Sequence, residues 1–177
     1  MELTSGLQIL LMVAGLALFA KSAVDYSRRK ARRRQGQVLS IYEVFEADPV
    51  AADVLSMLET LPATLKLSVL DDETQWHVTQ DDLIRALDGG DADWPRGSLE
   101  DGIVRSFDHA LTRLGDFNRG LDAGSIKLAD ARPHLHYWAR LLGEHGSSEA
   151  VVRAVSGFIR RRGYSDAAEL LWKLRSG

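Results

Sequence analysis

The 177-residue chain has no cysteine, which excludes disulfide frameworks, thiolate zinc sites and cysteine nucleophiles. It also lacks a glycine-rich phosphate loop followed by lysine and serine or threonine, an HExxH pair and a GxSxG elbow, so no such motif marks a catalytic centre. No internal repeat is strong enough to read as a solenoid. What remains is 45% hydrophobic and 27% charged, the balance of an ordered protein with room for one domain and an accessory segment.

Charge is unevenly spread. The formal net charge of −3 joins two opposed regions: residues 21–34 hold seven lysines and arginines against Asp25, while residues 38–177 hold fifteen against twenty-three acids. A basic arm of +6 thus precedes a body of −8, and contact with a polyanion falls to the arm.

Residues 3–20 form an uncharged run of eighteen residues. As a helix this run spans about 27 Å, close to the ~30 Å hydrocarbon core of a bilayer, and Lys21 can snorkel to extend it to Val24. A secretory signal needs positive charge ahead of its apolar run, yet the only charged side chain there is Glu2. The bases Lys21, Arg28, Arg29, Lys30, Arg32, Arg33 and Arg34 follow the run instead, which predicts an external Met1 and a cytoplasmic body. The expectation is a single-pass inner-membrane protein: a transmembrane anchor at residues 1–24, a basic juxtamembrane arm at 25–37 and a helical cytoplasmic domain at 38–177.

The arm is expected to rest on anionic lipid headgroups, each base contributing about 1 kcal/mol near the surface. Nucleic acid is the less favoured partner, because only Tyr26, Ser27 and Gln35 accompany the bases. A second cluster, Arg160 to Arg162 before Gly163, has the pattern of a helix end: bases complement the terminal carbonyls and glycine supplies a left-handed stop.

The body reads as mainly α, a helical bundle. Ser40 with Glu43 has capping-box spacing, Asp48 with Pro49 opens a helix bearing Val50, Val54, Leu55, Leu58 and Leu61 on one face, and Thr79 with Asp82 caps another. Between these lies the one stretch with β-like alternation, read near residues 65–79 as a short hairpin or an irregular loop. Ser98 with Asp101 predicts the cap of a long helix carrying Ile103, Phe107, Ala110, Leu111, Leu114 and Phe117, ending near Gly120. Three further apolar stripes follow: Leu135, Trp138, Leu141 and Leu142; Val151, Val152, Val155, Phe158 and Ile159; and Ala167, Leu170, Leu171 and Leu174. Short links between them favour antiparallel neighbours. Phe107, Leu111, Leu114 and Trp138 make a face that serves core packing or a partner.

Chemistry-bearing residues read as structural. His134 and His136, two apart, point about 200° away from each other on a helix, unlike the i, i+4 pair that chelates a metal. Asp108 beside His109 is adjacent in sequence only, which does not create triad geometry. The pairs Asp71–Asp72 and Asp81–Asp82 suit loop solvation and helix starts, and Trp76, Trp94, Trp138 and Trp172 suit a core or groove lining. No cofactor and no metal is expected.

The stretch "FDHALTRLGDFNRGLDAGSIKLADARPHLHYWARLL", about a fifth of the chain, carries Phe107, Leu111, Leu114 and Phe117 on one helix, then Gly120 and Gly124, then Trp138 on a second helix. With an outside-facing start, one span and a basic flank, it resembles bacterial single-pass, membrane-anchored helical domains of unknown function. Pro133 departs from the smooth second helix of that pattern. The resemblance implies no activity, catalytic residue or ligand. The expected function is a membrane-tethered protein-interaction or scaffold domain, binding another protein or a second copy of itself as part of a membrane-associated assembly. The alternatives are an enzyme whose active site follows no motif, favoured by a deep pocket joining His109, His134 or His136 to acids, and nucleic-acid binding by the arm at the membrane.

Overall fold

A computed structural model describes residues 47–70, 73–89, 97–143 and 148–176, with Gly36, Tyr42, Glu43 and Phe45. The chain divides into two units, Met1–Gln37 and Val38–Gly177, and all the elements below belong to the second. Apart from Gly36, the expected anchor and arm, with all seven of their flanking bases, lie outside the described residues, as does Ser40. Among the described residues, no helix is long and apolar enough to cross a membrane.

The second unit is mainly helical. Its elements are α1 (Pro49–Glu59), β1 (Ala63–Lys66), β2 (Gln75–Val78), α2 (Gln80–Asp88), α3 (Ser98–Asp122), α4 (Leu128–Leu141), α5 (Glu149–Arg162) and α6 (Ser165–Ser176). Asp48 caps α1 by accepting the Val50 amide at 3.0 Å, with Pro49 in the first turn. The buried stripe of α1 is Ala51, Val54, Met57 and Leu58, while Val50, Leu55 and Leu61 are half-buried. The hairpin is real: Ala63 pairs with Val78 and Leu65 with Trp76 in an antiparallel ladder whose alternate residues turn inward. Thr79 and Asp82 form the expected capping box on α2, amide to side chain in both directions at 3.0 and 3.2 Å.

The start of α3 differs from the expectation, while its end at Asp122 falls near Gly120 as expected. The N-cap is Gly97, whose amide donates to Glu100 at 2.7 Å; Ser98 is already in the first turn, so Asp101 falls one place beyond the capping position. Gly120 does not end the helix but makes room inside it, because a Cβ there would lie 2.7 Å from Ile126 Cδ1. The chain turns at Gly124, which has φ +67°, and the amides of Ser125 and Ile126 fold back to the Gly120 carbonyl. Pro133 lies exposed within a continuous α4, where it removes one ladder donor.

Consecutive helices are often not the principal neighbours, contrary to the antiparallel order expected from the short links. Helix α3 is central and packs on α1, α2 and α6; α4 packs on α6 and α1; α5 packs on α2 and α6. Phe45 joins the ends of α3 and α4, its ring 5.8 Å from Phe117 and 5.0 Å from Trp138. Phe107 meets Phe158 of α5 edge-on at 6.4 Å. Phe107, Leu111, Leu114 and Trp138 are all buried in one apolar cluster, so they leave no exposed apolar face on α3.

Candidate functional site

The turn from α5 into α6 builds the site. Gly163 takes φ +73°, its amide bonding to the Arg160 carbonyl and the Tyr164 amide to the Ile159 carbonyl, so the three arginines do end α5 as the sequence indicates. Only Gly163 and Tyr164 separate the two helices. With the end of α4, they enclose a cavity of about 420 Å³.

Its floor is apolar and buried: Ala139 and Leu142 from the end of α4, Ile159 from α5 and Leu171 from α6. Its rim is polar and cationic: Ser156, Ser165, Arg160 and Arg175 are exposed. Gly143 matters here because a Cβ would sit 2.6 Å from the Ala139 carbonyl and 3.5 Å from Arg175 Nη1. The first distance is a clash that glycine avoids, and the second is an ordinary contact that puts the Arg175 guanidinium near the carbonyl end of α4, where a cation is favoured. Neither Arg160 nor Arg175 has a carboxylate, carbonyl or aromatic partner among the described residues. Tyr164 is fixed at the edge by donating its hydroxyl to Asp108 at 2.7 Å and stacking on Phe158 at 6.3 Å; burial, then Asp108, pushes the phenol up to about 12. Trp172, one turn beyond Ala168 and beside Arg175 in register, is 61% exposed.

The acids of α6 point elsewhere. Asp166 pairs with Arg119 at 2.9 Å, and Glu169 with Lys173 at 2.8 Å. Buried Asn118 donates to Asp122 and Glu169 at 3.1 and 3.2 Å and accepts from Lys173 at 3.0 Å. The α3–α6 seam therefore consumes these carboxylates, and the guanidinium groups on the groove side have no carboxylate partner among the described residues.

The histidines form no site with the groove. His109 lies 2.6 Å from Asp48 Oδ2, with Arg113 at 3.8 Å from the same oxygen, whereas Asp108 receives Tyr164. Adjacent in sequence, Asp108 and His109 thus serve different helices. Burial alone would raise the Asp48 carboxyl, but the hydrogen bond and charge of His109, with the Val50 and Ala51 amides, hold it below 3.8. No serine or threonine hydroxyl bonds the imidazole among the described residues, so the arrangement clamps α3 to the start of α1 rather than activating a nucleophile. The His134 ring lies 4.5 Å from that of Tyr42, tilted by 42°, and His136 is exposed. No cluster of metal-ligating side chains occurs among the described residues.

Of the four tryptophans, Trp138 is buried and Trp76 half-buried, as expected; Trp94 lies outside the described residues. Trp172 corrects the expectation, since it stands on the solvent side of α6. That departure was readable: Trp172 falls off the Ala167, Leu170, Leu171 and Leu174 stripe. Arg175 had no sequence signal, because its position beside Gly143, just past the end of α4, is set by the fold. Comparison with protein-family models, with curated proteins and with solved structures finds no match.

Proposed function

We propose that this protein is a membrane-tethered docking module. An apolar span at residues 3–20 anchors it in the inner membrane with Met1 outside, the basic arm rests on anionic headgroups, and the helical unit presents the α4–α5–α6 groove to a protein partner in the cytoplasm. The observation that carries this reading is Trp172, a large aromatic left 61% exposed on α6, the helix that supplies Leu171 and Arg175 to the groove, where Arg160 and Arg175 have no carboxylate partner among the described residues. Tryptophan and arginine are the residue types that dominate binding energy at protein interfaces. Burying the Trp172 ring contributes far more at an interface than it gains in water, which gives its position a reason that α6 packing does not supply.

A catalytic reading lacks comparable support, because His109, His134 and His136 do not line the groove. The test is photocrosslinking in native membranes from a benzophenone side chain at position 172, followed by identification of the attached protein. A discrete protein adduct supports docking; its absence removes the reading.

A further inference from the structure

We infer that the groove's occupant is an acidic, apolar peptide segment of another protein. This rests on the docking reading above and deepens it by specifying the partner's chemistry. Three features set that chemistry. The floor of Ala139, Leu142, Ile159 and Leu171 offers no charged group, so it accepts aliphatic side chains. At the rim, Arg160 and Arg175 are exposed and have no carboxylate partner among the described residues, and each planar guanidinium matches a carboxylate with two parallel hydrogen bonds. Asp166 and Glu169, the nearest acids on α6, are tied to Arg119 and to Lys173 with Asn118, so they do not neutralise the rim.

The surrounding charge sharpens the selection. Residues 38–177 carry a formal −8, which repels an acidic segment everywhere except where cations stand free. A basic segment meets the reverse conditions: attraction to the acidic surface at large, and repulsion at the groove. The cavity of about 420 Å³ alone matches a small molecule in size, but Trp172 lies outside its lining and extends the apolar contact along α6. An elongated segment reaches both; a compact ligand does not.

The probe is a synthetic helical peptide with leucines at i, i+3, i+4 and i+7 and glutamates on its flanks, titrated by fluorescence anisotropy into the full 177-residue chain. Two controls replace the glutamates by lysine or the leucines by serine. The glutamate–leucine peptide should bind at least about tenfold tighter than either control, and should weaken as salt is raised. Arg160→Glu combined with Arg175→Glu should weaken it about a hundredfold, one power of ten for each lost pair. Arg160→Gln with Arg175→Gln, which removes the charges without reversing them, guards against misfolding and should show about a tenfold loss or more. Equal binding of the lysine peptide, or unchanged affinity in both double variants, overturns the inference.

The position-172 crosslink separates this failure from that of the docking reading. A protein adduct alongside charge-insensitive peptide binding leaves docking intact and refutes the acidic partner. An adduct to a second copy of the chain refutes the heterologous partner, and an adduct to lipid alone places the face on the bilayer and removes both readings.

Discussion

Lys173 donates to Asn118 Oδ1 at 3.0 Å where α6 crosses α3, and its remaining hydrogens meet Asp122 at 2.7 Å and Glu169 at 2.8 Å. The Asn118 amide supplies two further hydrogen bonds to the same acids, so the donors of this pair are saturated. Asn118→Ala strands that network beside a small cavity and should destabilise the fold by about 1–3 kcal/mol. Denaturant unfolding measures it; an unchanged midpoint would mean that water replaces the amide without cost.

Ser106 presents the opposite case one helix face away. It is fully buried and its hydroxyl has no partner among the described residues, so Ser106→Ala removes an unpaired polar group and improves helix propensity. Stability should rise by about 1 kcal/mol. Leu111→Ala, in the same helix and also buried, should instead cost about 2–5 kcal/mol through lost burial and the cavity left behind. Parallel melting curves should therefore shift in opposite directions, and a matching sign for both variants contradicts the packing described.

The α2 cap makes a pH prediction. The Thr79 hydroxyl contributes most to holding Asp82 below 3.8, its amide and Arg85 add to the effect, and burial opposes it. A carboxyl whose folded value is depressed stabilises fully above its unfolded value, and that stability is lost as pH falls through the folded value. Thr79→Ala should thus cost about 1 kcal/mol near neutrality, with the difference from the parent chain shrinking below pH 3.8. Asp53 has the other sign: burial raises its carboxyl despite the Ser68 amide, so its contribution falls as pH rises from 3.8 through the raised value. Unfolding at several acidic pH values resolves the two, and a Thr79→Ala difference that stays constant with pH contradicts the carboxylate account.

These caps were legible because they are local. Asp48 with Pro49, Thr79 with Asp82 and Arg160 to Arg162 with Gly163 each need only a few consecutive residues to define their geometry. The same locality explains the slip at α3: Ser98 with Asp101 and Gly97 with Glu100 have identical spacing, and only the backbone shows which pair sits at the boundary. Gly120 and Gly124 are a second ambiguous pair, separated by a close approach at one and a positive φ at the other. Helix order was not legible, since amphipathic stripes specify that a face is buried but not which helix covers it. The groove depends on that order. Gly143 and Arg175 are thirty-two positions apart, and no local pattern brings them together.

Tethering has its own test. The proposed orientation predicts that protease added outside intact cells leaves residues 38–177 uncut, whereas inverted vesicles expose them. Alkaline carbonate should leave the chain with the membrane pellet. Cleavage from the outer side overturns the orientation, and release into the supernatant overturns the span.

The most direct measurement of the docking account compares photocrosslinking from position 172 with crosslinking from Glu73, whose side chain is 93% exposed on the hairpin connection. In native membranes, position 172 should yield a discrete protein adduct that position 73 does not, and Arg160→Glu with Arg175→Glu should abolish it. Equal labelling from both positions, or an adduct indifferent to the two arginines, would contradict a docking role for the groove.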